Sequence, residues 1–210
     1  MGKCIVFCAA EFDRLEEKIR PEDYVIAADG GLRHTEALGI VPQAVLGDFD
    51  SLGYVPEGAG VYPVEKDDTD AMLAVKMGLE AGCREFAIYG GLDGPRLDHT
   101  VANYQTLQYL ADRGARGILV GREFLVTAVK NDTLSFREGA QGTASVFCLG
   151  ADARGVTLQG LHYPLENGTL SCGFPLGVSN HFAGGKARIS VGDGSLLVMW
   201  ERRAGLPEDW

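Results

Sequence analysis

Two rhythms of apolar and polar positions run along the chain. Up to about residue 125, short apolar runs alternate with longer stretches of helical spacing, which predicts βαβ units. Strands are predicted over residues 3–9, 24–28, 44–46, 61–64, 85–89 and 117–120, and helices over 32–38, 69–81 and 97–110. The helix over 69–81 carries Met72, Leu73, Val75, Met77 and Leu79, with Gly82 placed to end it. From residue 127 onward the rhythm changes. Runs over 133–137, 143–148, 156–161, 168–172, 187–191 and 195–201 alternate apolar with polar side chains. Asn131-Asp132, Glu166-Asn167-Gly168 and Gly192-Asp193-Gly194 supply turn chemistry between them. The expected architecture is α/β plus all-β. A mostly parallel, Rossmann-like sheet domain spans residues 1–125, and an antiparallel, sandwich-like β domain spans 126–210.

Composition narrows the class of protein. The 210 residues suffice to bury a core, and 46% apolar with 23% charged residues is ordinary globular usage. A net charge of −10 is the wrong sign for gripping nucleic acid, so no nucleic-acid partner is expected. No apolar stretch approaches the ~20 residues a membrane span needs, and the start lacks the pattern of a secretion signal. No membrane partner is expected. The five cysteines have no CxxC or metal-ligand spacing and read as reduced, buried thiols of a cytoplasmic protein.

The acids are unevenly spread, and this carries the chemistry. Ligands of open parallel sheets bind beyond the carboxyl ends of the strands. Three predicted strands end in glycine–aspartate sequence: Asp29-Gly30-Gly31, Gly47-Asp48-Phe49-Asp50-Ser51, and Gly90-Gly91 running on to Arg96-Leu97-Asp98-His99. A fourth segment, Lys66-Asp67-Asp68-Thr69-Asp70, precedes a helix. Glycine lets backbone N–H groups approach phosphate, and carboxylates supply the hard oxygens magnesium prefers. Taken singly, each segment has a plainer reading: Asp29-Gly30-Gly31 as a turn, Thr69 or Asp68 as a helix cap, His99 as a capped structural residue. Together, five carboxylates (Asp48, Asp50, Asp67, Asp68, Asp70) on one rim would repel one another without a divalent cation. Arg96 suits phosphate. The chain has no GxSxG, Walker, GxGxxG or HExxH motif, which lowers nucleophilic hydrolysis and dinucleotide redox chemistry.

These segments, in this order, resemble the thiamine pyrophosphokinase family. The 155–165 segment (Gly155 to Leu165) resembles the family's middle strands, and Gly177-Val178-Ser179-Asn180 resembles its substrate loop. The resemblance covers about residues 4–200. It implies a magnesium-dependent transfer of the diphosphoryl group of ATP to the hydroxyl of thiamine, giving thiamine diphosphate and AMP, by a homodimer. It implies metal and catalytic roles for Asp48, Asp50 and Asp70, with Asp68 and Asp98 also in the catalytic set. It further implies nucleotide contacts from Asp29, Gly30, Gly31, Lys66, Thr69, Gly91, Arg96 and His99, and thiamine contacts from Ser179 and Asn180. Two positions depart from the family pattern: Pro95 stands where a second glycine before the Arg is common, and His181 stands where an acid is usual. The alternatives are a pyrophosphokinase of another hydroxymethyl acceptor, such as a pterin, and a non-catalytic nucleotide- or thiamine-binding module.

Overall fold

The computed structural model describes residues 2–47, 49, 54, 60–61 and 67–210. The chain divides into two compact units, Met1–Arg122 and Glu123–Trp210. The first is a mixed α/β sheet unit and the second an antiparallel β unit.

In the first unit the strands are β1 (Cys4–Phe7), β2 (Tyr24–Ala28), β3 (Ala44–Gly47), β4 (Gly60–Val61), β5 (Glu85–Tyr89) and β6 (Arg116–Val120). All their pairings are parallel, in the order β6-β5-β1-β2-β3-β4. β1 is buried throughout, and the last four residues of β2, β5 and β6 are buried, as expected of strands covered on both faces. The chain walks outward from β1 to β4, then returns to lay β5 on the other side of β1. The order therefore reverses between β1 and β5, the place where such sheets open a crevice.

Among the described residues three α-helices connect the strands: α1 (Leu32–Ala37), α2 (Asp70–Glu80) and α3 (Leu97–Ala111). α2 buries Ala71, Ala74, Val75 and Gly78, one stripe at helical spacing. Of the larger apolar residues expected there, only Val75 is fully buried; Met72, Leu73, Met77 and Leu79 are half-buried. Close approach to the sheet is the reason. A Cβ at Gly78 would stand 2.6 Å from the Phe86 ring and 2.7 Å from Cys4 Sγ, so only small residues fit that face. α3 buries Asn103, Thr106, Leu107 and Leu110 in the same manner. Among the described residues no helix is long and apolar enough to cross a membrane.

The second unit holds β7 (Phe124–Lys130), β8 (Thr133–Phe136), β9 (Thr143–Cys148), β10 (Ala153–Gln159), β11 (Leu165–Leu170), β12 (Gly177–His181), β13 (Ala187–Ser190) and β14 (Ser195–Glu201). They pair antiparallel as β12-β9-β14-β7 and β11-β10-β13-β8. Phe136 of β8 meets Trp200 of β14 edge-on at 5.3 Å and Phe182 at 4.8 Å, and Trp200 is fully buried with its indole N–H donated to Gly205 O.

Two sequence readings are corrected here. Glu166-Asn167-Gly168 is not a turn between strands. It lies inside β11, where Asn167 takes a positive φ of 49° and the pairing with β10 slips, so its turn propensity makes a bulge. Gly177–Asn180, likened to the family's substrate loop, is strand in this chain and belongs to the edge strand β12. The cysteines also differ from expectation. Cys4, Cys8 and Cys83 are buried, but Cys148 is half-buried and Cys172 exposed.

Candidate active site

The strand reversal opens a cleft of about 580 Å³ beyond the carboxyl ends of β1, β2 and β5. Its walls come from four segments.

The segment after β1, Cys8 to Glu11, is zipped to the segment after β5. Cys8 N donates to Tyr89 O (2.8 Å) and Ala10 N to Gly90 O (3.1 Å). Gly90 is required here: its φ is +68°, and a Cβ would lie 2.4 Å from Cys8 O and 2.5 Å from Ala10 O. His34, from α1, sits with Nε2 3.0 Å from Ala10 O, and its ring packs on Phe12, which packs on Tyr89. The next residue of the floor, Gly91, has its carbonyl held by the amide of the buried Asn103 (2.7 Å).

The second wall follows β2. Asp29 has a φ of +47° and opens a 3₁₀ turn, Asp29–Gly31, that leads into α1. Such a backbone in a non-glycine residue marks a position held by its surroundings. Gly31 presses on Phe7 O, where a Cβ would come within 1.9 Å.

The third wall is the start of α2. Thr69 caps the helix, its hydroxyl accepting from Met72 N at 3.2 Å, and Asp70 occupies the first turn. The fourth is the start of α3 with the segment before it, Gly94, Pro95 and Arg96. The first turns of two helices thus border one cavity, and a helix start favours negative charge. Within the loop that reaches α3, Asp93 at φ +60° accepts from Arg122 N at 2.7 Å.

Electrostatics tie the second and third walls together. The Cys8 thiol is pushed up to about 12, first by burial and then by the negative charges of Asp70 and Asp29. Two carboxylates, one from the turn after β2 and one from the first turn of α2, therefore bear on one group at the cleft floor. At the lip, Arg96 and Asp98 form a forked pair (3.2 and 2.5 Å). The Arg96 hydrogen bond holds the Asp98 carboxyl below its ordinary value, and the pair is largely exposed.

Of the residues singled out in the sequence, Asp29, Gly30, Thr69, Asp70, Gly91, Arg96 and His99 line this cleft. Four others, Gly31, Asp67, Asp68 and Asp98, do not, and Asp67 is exposed. Gly31 is taken up by packing on Phe7. Asp68 turns along α2 to a salt bridge with Lys76 at 2.6 Å. Asp98 reaches the site through Arg96. Asp48, Asp50 and Lys66 lie outside the described residues. In the second unit, Asn180 is 3% exposed and clamps Tyr163, accepting from its N–H (2.9 Å) and donating to its carbonyl (2.7 Å). Ser179 is exposed at φ +56°, in a bulge of β12 against β9, with its N–H donated to Ser145 Oγ.

The sequence reading missed Arg33, His34, Thr100 and Asn103, and the 8–11 segment, all of which line the cleft. The rule that ligands sit beyond strand ends points to residues 8–11. Asn103 carried no local signal.

The chain matches the family "Thiamin pyrophosphokinase, catalytic domain" over residues 15–119 and "Thiamin pyrophosphokinase, vitamin B1 binding domain" over 133–196. The chain belongs to the thiamin pyrophosphokinase family. It is a transferase that makes thiamine diphosphate by moving a pyrophosphoryl group. It is 27% identical over 190 residues to the thiamine pyrophosphokinase of Bacillus subtilis (strain 168), spanning 83% of this chain and 85% of that one. Crystal structures of the family share the fold. The Bacillus subtilis enzyme superposes with a TM-score of 0.83 at 23% identity, covering 95% of this chain and 98% of the other. The Geobacillus thermodenitrificans enzyme gives 0.80 at 26% identity, covering 96% and 97%. The fold persists at 13% identity in the Candida albicans protein, with a TM-score of 0.75 and coverage of 95% and 89%.

Proposed function

We propose that this chain transfers the diphosphoryl group of ATP to the hydroxyl of thiamine, releasing AMP, in the cleft between β1 and β5. The observation that carries the reading is the meeting of Asp29, Asp70 and two helix N-termini at one cavity. Such a cavity suits a polyphosphate with a cation, and the family supplies the acceptor. The first unit holds nucleotide and metal; the second holds thiamine and joins two cytoplasmic subunits as a homodimer.

The donor set fits magnesium. Asp29 and Asp70 are hard oxygen donors whose charges both reach the cleft floor. Asp70, with Asp48 and Asp50, would hold the ion, which when bound neutralises phosphate charge and polarises the phosphorus. The protein's own work is positioning. Gly30, Gly91 and the first turn of α2 present backbone N–H groups to phosphate oxygens. Thr69 fixes where that turn begins. Arg96 binds phosphate in a fork, with Asp98 aiming its guanidinium and His99 beside it. Lys66 adds a further phosphate contact. The thiamine hydroxyl attacks the β-phosphorus, and a carboxylate of the acidic cluster takes its proton. Asp68 steadies α2 through Lys76. Ser179, presented by the bulge, touches thiamine, while Asn180 shapes that site by holding Tyr163.

The test is AMP release by the purified protein with ATP and magnesium, offered thiamine or a hydroxymethyl pterin. Release that depends on thiamine supports the reading. Release only with the pterin reassigns the acceptor, and binding of ATP or thiamine without AMP from either makes the chain a binding module.

A further inference from the structure

Outside the cleft, the second unit gathers two thiols and a carboxylate that the reaction does not use. Cys148 ends β9, Asp152 stands in the turn before β10, and Cys172 follows β11. The ligand atoms of all three lie within 4.8 Å of one another. We propose that Cys148, Asp152 and Cys172 form a zinc site, two sulfurs and one oxygen, with water as the fourth ligand.

Three features carry this. Two thiolates on one tetrahedral zinc at ~2.3 Å stand about 3.8 Å apart, so the three groups need move little to share an ion. The carboxylate is already aimed, because Asp152 Oδ1 accepts the Cys172 backbone N–H at 2.8 Å. Beside the thiols lies a cavity of about 180 Å³, lined by both cysteines with Phe174, Pro175 and Gly177, which gives a fourth ligand room. Two sulfurs select a thiophilic, borderline-soft ion over magnesium. The ligands come from the turn between β9 and β10 and from the start of the segment that leads into β12. Zinc would therefore fasten the approach to Ser179.

The test uses the full chain, reduced and freed of metal, titrated with zinc(II) and with cobalt(II). We expect one zinc per chain, a thiolate-to-cobalt charge-transfer band, the visible bands of a four-coordinate ion, and a rise in the unfolding temperature of the whole protein. Cys148→Ser and Cys172→Ser should each abolish the charge-transfer band and the rise, while metal-free unfolding stays that of the parent. Asp152→Asn should weaken zinc roughly tenfold. The proposal is overturned if cobalt gives no thiolate band, or if the double serine variant binds zinc as the parent does. It is equally overturned if thiol counting on freshly purified, unreduced protein finds Cys148 and Cys172 joined as a disulfide, since the pair then serves redox chemistry.

Discussion

Asp70 is placed by a helix start and felt by a thiol on another loop, which is the strongest residue-level sign that the acidic motif serves the cleft. Replacing it with Asn keeps the shape and removes the charge. Turnover should fall by roughly a hundredfold or more while the unfolding temperature is unchanged; calorimetry beside a rate assay checks both. Cys8 reports the same field. Its pKa rises from 9.0 to about 12 in the fold, so the unfolded chain loses this proton first. Stability from this group is complete below pH 9 and drains away toward pH 12. Denaturant unfolding across that window should show the decline, and Cys8→Ala should flatten it. The acids, glycines and Arg96 could be read from the sequence because their chemistry is local. His34 and Asn103 could not. Each acts by holding one backbone carbonyl, Ala10 and Gly91, and nothing near either in sequence names that partner.

At the scale of elements, the parallel sheet was legible because its strands are near-continuous apolar runs separated by helical spacing. The β12 bulge was not. It depends on how Gly177 and Asn180 register with Val146 and Ala144 on β9, a long-range pairing. β7 was missed for a different reason: five buried residues in a row give no alternation to detect. The cap of α2 sets where the helix N–H groups point. Thr69→Ala should cost about 1 kcal/mol of stability and raise the KM for nucleotide more than it lowers kcat, as denaturant titration and steady-state kinetics will show. Gly90→Ala acts on the floor. With a left-handed φ and two carbonyls within 2.5 Å of the added carbon, it must part the segments after β1 and β5. Nucleotide affinity should drop by roughly tenfold or more, a change isothermal titration can read.

Over the whole molecule, the catalytic-domain match falls within the first unit and the vitamin B1 binding match within the second. The change from helical spacing to alternation near residue 125 lies close to the structural division after Arg122, because each rhythm is the imprint of a different way to bury a sheet. What no single segment shows is the order reversal between β1 and β5, a property of topology that puts Asp29, Asp70 and Arg96 around one cavity. In the second unit Trp200 stands where both sheets meet. Trp200→Ala should remove about 3–5 kcal/mol of stability and, near the lowered unfolding temperature, impair thiamine use; thermal unfolding with thiamine-dependent rates tests it. The reaction turns on which group moves. ATP labelled at its β-phosphorus, incubated with the protein, magnesium and thiamine, decides this most directly. The label should leave with thiamine as its diphosphate, and unlabelled AMP should accumulate in equal amount. Label retained in ADP, with thiamine monophosphate as product, would contradict it.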